Sequence, residues 1–301
     1  MEENKHIPVL MEEVLHFLDV KKDEIYVDVT LGGGGHTRAI LESNNSCKVV
    51  GLDWDKSVIE STGQALQQEF PGRFFPVWGN FSKVHELVRK AGFKEVNGIL
   101  ADFGTSQIQI SQTPGLSVYK DAFLDMRMSS AHFKVTAYDI VNHYKEQEIA
   151  DIFYQYAEER HSRKIARKIV ERRKKKPIKT TFELADLVKS VIPTKGKIHP
   201  ATRVFQALRI AVNKELDNIH SFLNNSLSLL ADQARLVCIS FHSLEDRIVK
   251  QFFKNQSQKN NLEKYLSILT KKVCTASEQE LDRNRSSRSA KLRAAIMQKS
   301  I

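Results

Sequence analysis

The residues best suited to chemistry gather around four consecutive glycines, Gly32 to Gly35. An acid flanks the run on each side, with Asp28 just before it and Asp53 about 20 residues on, the spacing of an acid that holds ribose hydroxyls. Residues without a Cβ let the backbone approach a ligand closely and permit a turn with positive φ. A dinucleotide pocket rests a pyrophosphate on a helix N-terminus and needs Gly-x-Gly-x-x-Gly. Gly32 and Gly34 fill the first two positions here, but Thr37 takes the third, and Asp28 would repel a phosphate. That carboxylate suits a ligand with no phosphate but with an amino group and a sulfonium. S-adenosylmethionine is such a ligand.

Farther along, the apolar run from Gly98 ends in a second polar cluster, Asp102 followed by Thr105, Ser106 and Gln109. Ligands of open α/β sheets bind at the carboxyl ends of the strands, so these groups are placed to hold substrate or the methionine end of the cofactor. Asp102 is the first candidate to accept charge from an attacking amino nitrogen, with Ser106 second; capping the next turn is its other reading. Phe81 follows another strand, either packed on an adenine face or buried locally. His242, Ser243 and Asp246 include catalytic-triad residue types, but so close in sequence they cannot surround one oxyanion site. Ser243 with Asp246 reads as a helix capping box. Cys47, Cys238 and Cys274 lie far apart with no Cys-x-x-Cys, so neither a zinc site nor a disulfide frame is expected.

These residues need strands to carry them. Ile25–Val29, Lys48–Leu52, Phe74–Trp78, the run from Gly98 and Arg235–Phe241 read as buried strands, and residues 38–41, 56–70 and 83–91 as the helices between them. The alternation predicts an α/β, Rossmann-like sheet. From about residue 112 the rhythm is lost and the chain reads as mostly helical to about 215, with helices at 146–157, 182–192 and 201–212. The expected organisation is a sheet domain of residues 1–111 and 211–301, with a helical substrate domain of residues 112–210 inserted between the fourth and fifth strands. Beyond about 254 the chain turns polar, and a flexible or RNA-facing tail is expected.

Net charge is +10, unevenly spread. Residues 158–179 hold eleven Lys/Arg against three acids, and residues 271–301 hold eight against three. Together they carry more than the whole net charge, as an electrostatic footprint on phosphates would. Arg163, Lys164, Arg167, Lys168, Arg172 and Arg173 surround Ile165, Ile169 and Val170, which predicts one helix with a narrow apolar stripe and a broad cationic face. Its many arginines favour RNA over a membrane surface. No apolar run approaches the ~18 residues of a membrane span. The polar start and unpaired cysteines lead us to expect a cytoplasmic protein.

Gly34-Gly35-His36-Thr37, Leu124-Asp125-Met126-Arg127-Met128, Tyr156-Ala157-Glu158-Glu159-Arg160, Lys164-Ile165-Ala166-Arg167, the run from His199 to Ile210 and that from Ile239 to Arg247 together resemble one family. It is the bacterial small-subunit (16S) ribosomal RNA cytosine-N4 methyltransferase family (RsmH, formerly MraW), and the likeness runs from His6 to Phe253. The resemblance implies a class I S-adenosylmethionine-dependent fold with an inserted substrate domain. It implies that Gly34, Gly35 and His36 line the methionine end of the cofactor, that Asp53 takes the ribose and Phe81 the adenine side, and that Asp102 and Gln109 complete the pocket. The implied substrate is a cytosine in the decoding region of the small ribosomal subunit; a homodimer is compatible with the pattern. Where the family usually reads Asp-Leu-Gly-Val-Ser-Ser-Pro-Gln-Leu-Asp, this chain reads Asp102-Phe103-Gly104-Thr105-Ser106-Gln107-Ile108-Gln109-Ile110-Ser111. The usual Gly-Pro before Leu124 is Ala122-Phe123. A factor that binds cofactor and RNA without efficient transfer is the alternative these departures leave open; Thr37 and Asp28 argue against a nicotinamide oxidoreductase.

Overall fold

The computed structural model describes residues 7–104, 113–192, 199–258 and 264–299. The chain divides into two compact units, one of residues 1–104 and 216–301 and the other of residues 105–215. The second boundary falls later than the expected 210 because Val204, Phe205 and Leu208 of helix Thr202–Asn213 share a core with Ile149 and Phe153 of helix Glu146–Ala157.

In the first unit, strands β1 (Ile25–Asp28), β2 (Lys48–Asp53), β3 (Phe74–Trp78), β4 (Val96–Asp102), β5 (Leu230–Ser240), β6 (Lys264–Ile268) and β7 (Lys291–Lys299) form one sheet of order β3-β2-β1-β4-β5-β7-β6. The first five in that order run parallel, while β7 is antiparallel to both β5 and β6. A parallel strand is covered on both faces, so its residues are apolar without alternation. Thus Val27, Val50, Ile99, Leu236 and Cys238 enter one core with Phe222 and Phe253, while Tyr26, Val49, Leu100, Val237 and Ile239 enter another with Val14, Leu18, Ile40 and Leu41. Among the described residues no helix is long and apolar enough to cross a membrane.

Strand order reverses at β1, which lies between β2 and β4, and at such a switch point the loops leaving neighbouring strands part to open a crevice. The helical expectation for residues 56–70 needs amending: a π-helical turn, Ile59–Gly63, separates Lys56–Val58 from Gln64–Glu69. This segment packs on the glycine loop, where a Cβ on Gly34 (φ +75°) would come within 2.8 Å of both Leu66 and Thr62.

The second unit holds helices Ala137–His143, Glu146–Ala157, Ser162–Arg173, Thr181–Val191 and Thr202–Asn213. The Leu124–Met128 segment is part of its frame. Leu124 and Met126 are fully buried, Asp125 receives two bonds from the Arg127 guanidinium at 2.7 and 2.9 Å, and Asn213 bonds Met128 N–H and Met126 C=O.

In the tail, β7 pairs along β5 and sends Leu292 and Ala294 into one core and Ala295 and Met297 into the other. Contrary to expectation, Ser243 is not the helix cap. His242 occupies that position, its ring accepting Glu245 N–H while the buried Glu245 carboxylate accepts Phe241 and His242 N–H at 2.8 and 3.2 Å. Asp246 instead receives the Arg293 guanidinium of β7 at 2.7 and 3.1 Å, tying the tail to this helix. Ending the chain at Ala290 therefore exposes the β5 edge and both cores, a loss on the order of 10 kcal/mol and comparable to a typical domain's whole stability. Expressed protein should be insoluble or lack a cooperative thermal transition in circular dichroism.

Candidate cofactor pocket

Three carboxylates stand at the carboxyl ends of three neighbouring strands: Asp28 closes β1, Asp53 closes β2 and Asp102 closes β4. The parallel registers set Asp28 beside Gly51 and Leu100, so Asp53 and Asp102 both stand two residues farther along their strands than Asp28. Each acid is fixed by short local bonds. Asp53 accepts the Gly32 and Asp55 N–H groups, both at 2.9 Å, so the ribose-side acid and the glycine loop are locked together. Asp28 accepts the Thr37 hydroxyl at 2.8 Å and Thr30 N–H at 3.1 Å. The Thr30 hydroxyl in turn accepts Asp102 N–H at 2.9 Å, and the Asp102 carboxylate accepts Gly104 N–H at 3.3 Å.

His36 completes the group. Its Nε2 lies 2.9 Å from Val9 C=O, which can only accept, so that nitrogen carries the proton. Nδ1 is left 3.9 Å from the Asp102 carboxylate. Burial raises all three acids. Asp53 and Asp102 are each pushed up to about 6, His36 drawing Asp102 part of the way back down, and Asp28 is raised too. Three acids whose charged forms burial disfavours are suited to a cationic, hydroxyl-bearing ligand that restores the lost solvation.

The remaining sequence-predicted residues are placed as follows. Gly34 and Gly35 open the helix after β1; a Cβ on Gly35 would overlap Pro8, and one on Gly33 meets nothing within 4 Å. Phe81 is nine-tenths buried, in an aromatic cluster with Trp54, Phe103 and Phe222 at centroid distances of 5.9 to 6.0 Å. Ser106 and Gln109 lie outside the described residues. In the second unit Arg163, Lys164, Arg167 and Lys168 are exposed along helix Ser162–Arg173. Arg172 and Arg173 are half-buried: Arg173 donates to Val141 and Tyr144 C=O at 2.8 and 2.6 Å, and Arg172 to Lys176 C=O at 2.9 Å. Sequence reading missed Thr30 and Thr37, the hydroxyls that hold the acids, and Trp54. Their one signal was adjacency to the acids and to the glycine run.

The residues fit S-adenosylmethionine. The loop leaves open space at Gly33, Asp53 presents a carboxylate to the ribose side, and Asp28 and Asp102 supply negative charge where a phosphate would be refused. A parallel sheet with its switch point between β1 and β4, the glycine loop after β1 and acids in place of a phosphate cradle define a Rossmann-like S-adenosylmethionine-dependent methyltransferase. The chain belongs to the MraW methylase family, whose match spans residues 3–299 and so includes the tail. It is similar to the Ribosomal RNA small subunit methyltransferase H of Sulfurihydrogenibium sp. (strain YO3AOP1), 47% identical over 292 residues that cover 96% of this chain and 98% of that one. It is likewise similar to that of Caldicellulosiruptor bescii, 46% identical over 305 residues covering 97% and 98%.

The acids oppose the fold they sit in. Asp102 rises from 3.8 to about 6 on folding, so the stability it contributes is full below pH 4 and lost as pH climbs through 6. Above that, its buried charge costs roughly 3 kcal/mol. In Asp102→Asn the amide oxygen keeps the Gly104 bond and the site carries no charge at this position. The variant should melt roughly 2–8 °C higher at pH 7.5 by calorimetry, and the difference should vanish near pH 4.

Proposed function

We propose that this protein transfers a methyl group from S-adenosylmethionine to the exocyclic N4 of a cytosine in the decoding region of small-subunit ribosomal RNA. The observation that carries the reading is the Asp102 carboxylate at the end of β4, raised to about 6 and facing His36 Nδ1. The names of the relatives support the RNA substrate, as does the exposed cationic side of helix Ser162–Arg173.

When bound, the cofactor supplies an electrophilic methyl on a sulfonium. Cytosine N4 is a weak nucleophile because its lone pair is delocalised into the ring, so the protein must orient it and take up the charge that grows on N4–H. The Asp102 carboxylate accepts that hydrogen bond and then the proton, and His36, its Nε2 proton held by Val9 C=O and its Nδ1 3.9 Å from the carboxylate, favours the ionised, accepting form of Asp102. Asp53 and the Gly32 amide anchor the ribose side, fixing where the methyl lies. Exposed lysines and arginines of the second unit bind RNA phosphates without reading sequence, and the target base must be unstacked to reach the pocket.

The test is transfer of labelled methyl to small subunits from a strain lacking the protein, followed by nucleoside analysis. N4-methylcytidine, or its 2′-O-methyl form, is the expected product. Cofactor binding with no incorporation would make the chain a binding factor instead. Asp102→Asn should lower kcat by about 10²–10⁴-fold. Because only the ionised carboxylate accepts a proton, wild-type kcat should rise with pH through about 6 and level off above 7.

A further inference from the structure

Within the second unit an aromatic pair lies at the border of the cationic run: Tyr138 packs against the unit's core, and Phe123 lies on it facing outward. Phe123 keeps 48% of its surface exposed and stacks on Tyr138, with ring centroids 5.3 Å apart and planes 28° from parallel. Tyr138 in turn meets the His143 ring edge-on at 5.8 Å. A large exposed ring is normal singly, but this one is held rigidly in place. Leu124 N–H donates to Lys179 C=O at 3.0 Å, Thr181 N–H to Ala122 C=O at 2.9 Å and Ala122 N–H to the Thr181 hydroxyl at 3.0 Å, so residues 122–124 are clamped to 179–181. The helix that carries Tyr138 is bound to the same neighbourhood. Asn142 bonds both N–H and C=O of Ile178 at 2.9 and 2.8 Å, and Arg173 reaches the carbonyls of Val141 and Tyr144.

Between Arg173 and the clamp run Lys174, Lys175, Lys176 and Lys179, all exposed. The nearby acids are engaged: Glu183 accepts Lys179 N–H at 2.6 Å and contacts Lys176 at 3.4 Å, and Asp121 accepts Phe182 N–H at 3.2 Å. A protein-binding patch is depleted in lysine at its centre. A single-stranded nucleic acid asks for the combination seen here, a rigid ring on which any base can stack and cations beside it for the backbone.

We propose that the Phe123–Tyr138 pair is a stacking platform for an unpaired base of the RNA substrate, with the lysines of residues 174–179 taking the adjoining phosphates. This deepens the ribosomal RNA reading above and rests on it. A preset ring loses little freedom on binding, so the platform adds affinity for a splayed-out strand without adding sequence preference.

The test compares Phe123→Leu, which keeps apolar bulk but lacks a π face, with Phe123→Trp, which keeps one. For methyl transfer to small subunits, Phe123→Leu should raise KM about tenfold with kcat and cofactor affinity unchanged, and Phe123→Trp should restore KM. Lys176→Ala with Lys179→Ala should flatten the dependence of log KM on log salt, a slope that Phe123→Leu leaves intact. A mixed-sequence single-stranded oligoribonucleotide should quench the added indole emission of Phe123→Trp beyond any quenching of the wild type. A KM for Phe123→Leu within twofold of wild type overturns the platform. So does a raised KM with no quenching, which would assign the patch to a protein of the subunit. If the wild type transfers no methyl at all, the reading beneath has failed. The quenching then still decides the platform, standing with it and falling without it.

Discussion

The whole arrangement depends on holding three carboxylates, Asp28 and Asp53 buried and Asp102 half-buried, at the carboxyl ends of β1, β2 and β4. Burial disfavours their charged forms, and unpaired they would either take up protons or open the site to water. Backbone N–H groups of Gly32, Asp55, Thr30 and Gly104, with the Thr37 hydroxyl, supply the compensating bonds. These donors come from the glycine loop and from strand ends, so a shift of one strand would break more than one acid's shell. The sheet's continuous apolar core on both faces prevents such a shift. Site precision is therefore inherited from a rigid sheet, and some stability is given up for the charge.

Glycine is needed at this site for two separate reasons. Gly32 and Gly34 adopt positive φ, which a side chain would strain, and Gly34 and Gly35 have no room for a Cβ against Leu66, Thr62 and Pro8. The loop is thus packed tightly from the outside, by the π-interrupted helix and the N-terminal lead-in, while Gly33 stays open. That asymmetry turns a tight turn into a cradle.

Much of this was legible in the chain before any coordinates. Strong β-branched runs ending in acids identified β1, β2 and β4 and, with the glycines, the class of ligand. Local pattern failed where nonlocal pairing decided. β7 is short of β-branched residues and is framed by polar segments, so its place between β5 and β6 depends on partners distant in sequence. The helix cap was misread because a His ring and a Glu three residues on can do what Ser and Asp do at the next position along. Arg172 and Arg173 looked like a solvated cationic face, yet both bond to backbone carbonyls. Charge pattern alone cannot distinguish a free guanidinium from one that caps a helix. Phe123 was visible only as a departure from the family's usual Pro, and its stack on Tyr138 needed the fold.

The central claim is that these acids, whose ionisation burial opposes, favour a cationic, phosphate-free cofactor that stabilises their charged forms. Calorimetric titration of S-adenosylmethionine at pH 6, in buffers of different ionisation enthalpy, measures it directly. Asp53 and Asp102, each near half-protonation there, should together release about one proton on binding, and affinity should weaken as pH falls from 7 to 5. Binding that releases no proton and keeps the same affinity across that range would contradict the account.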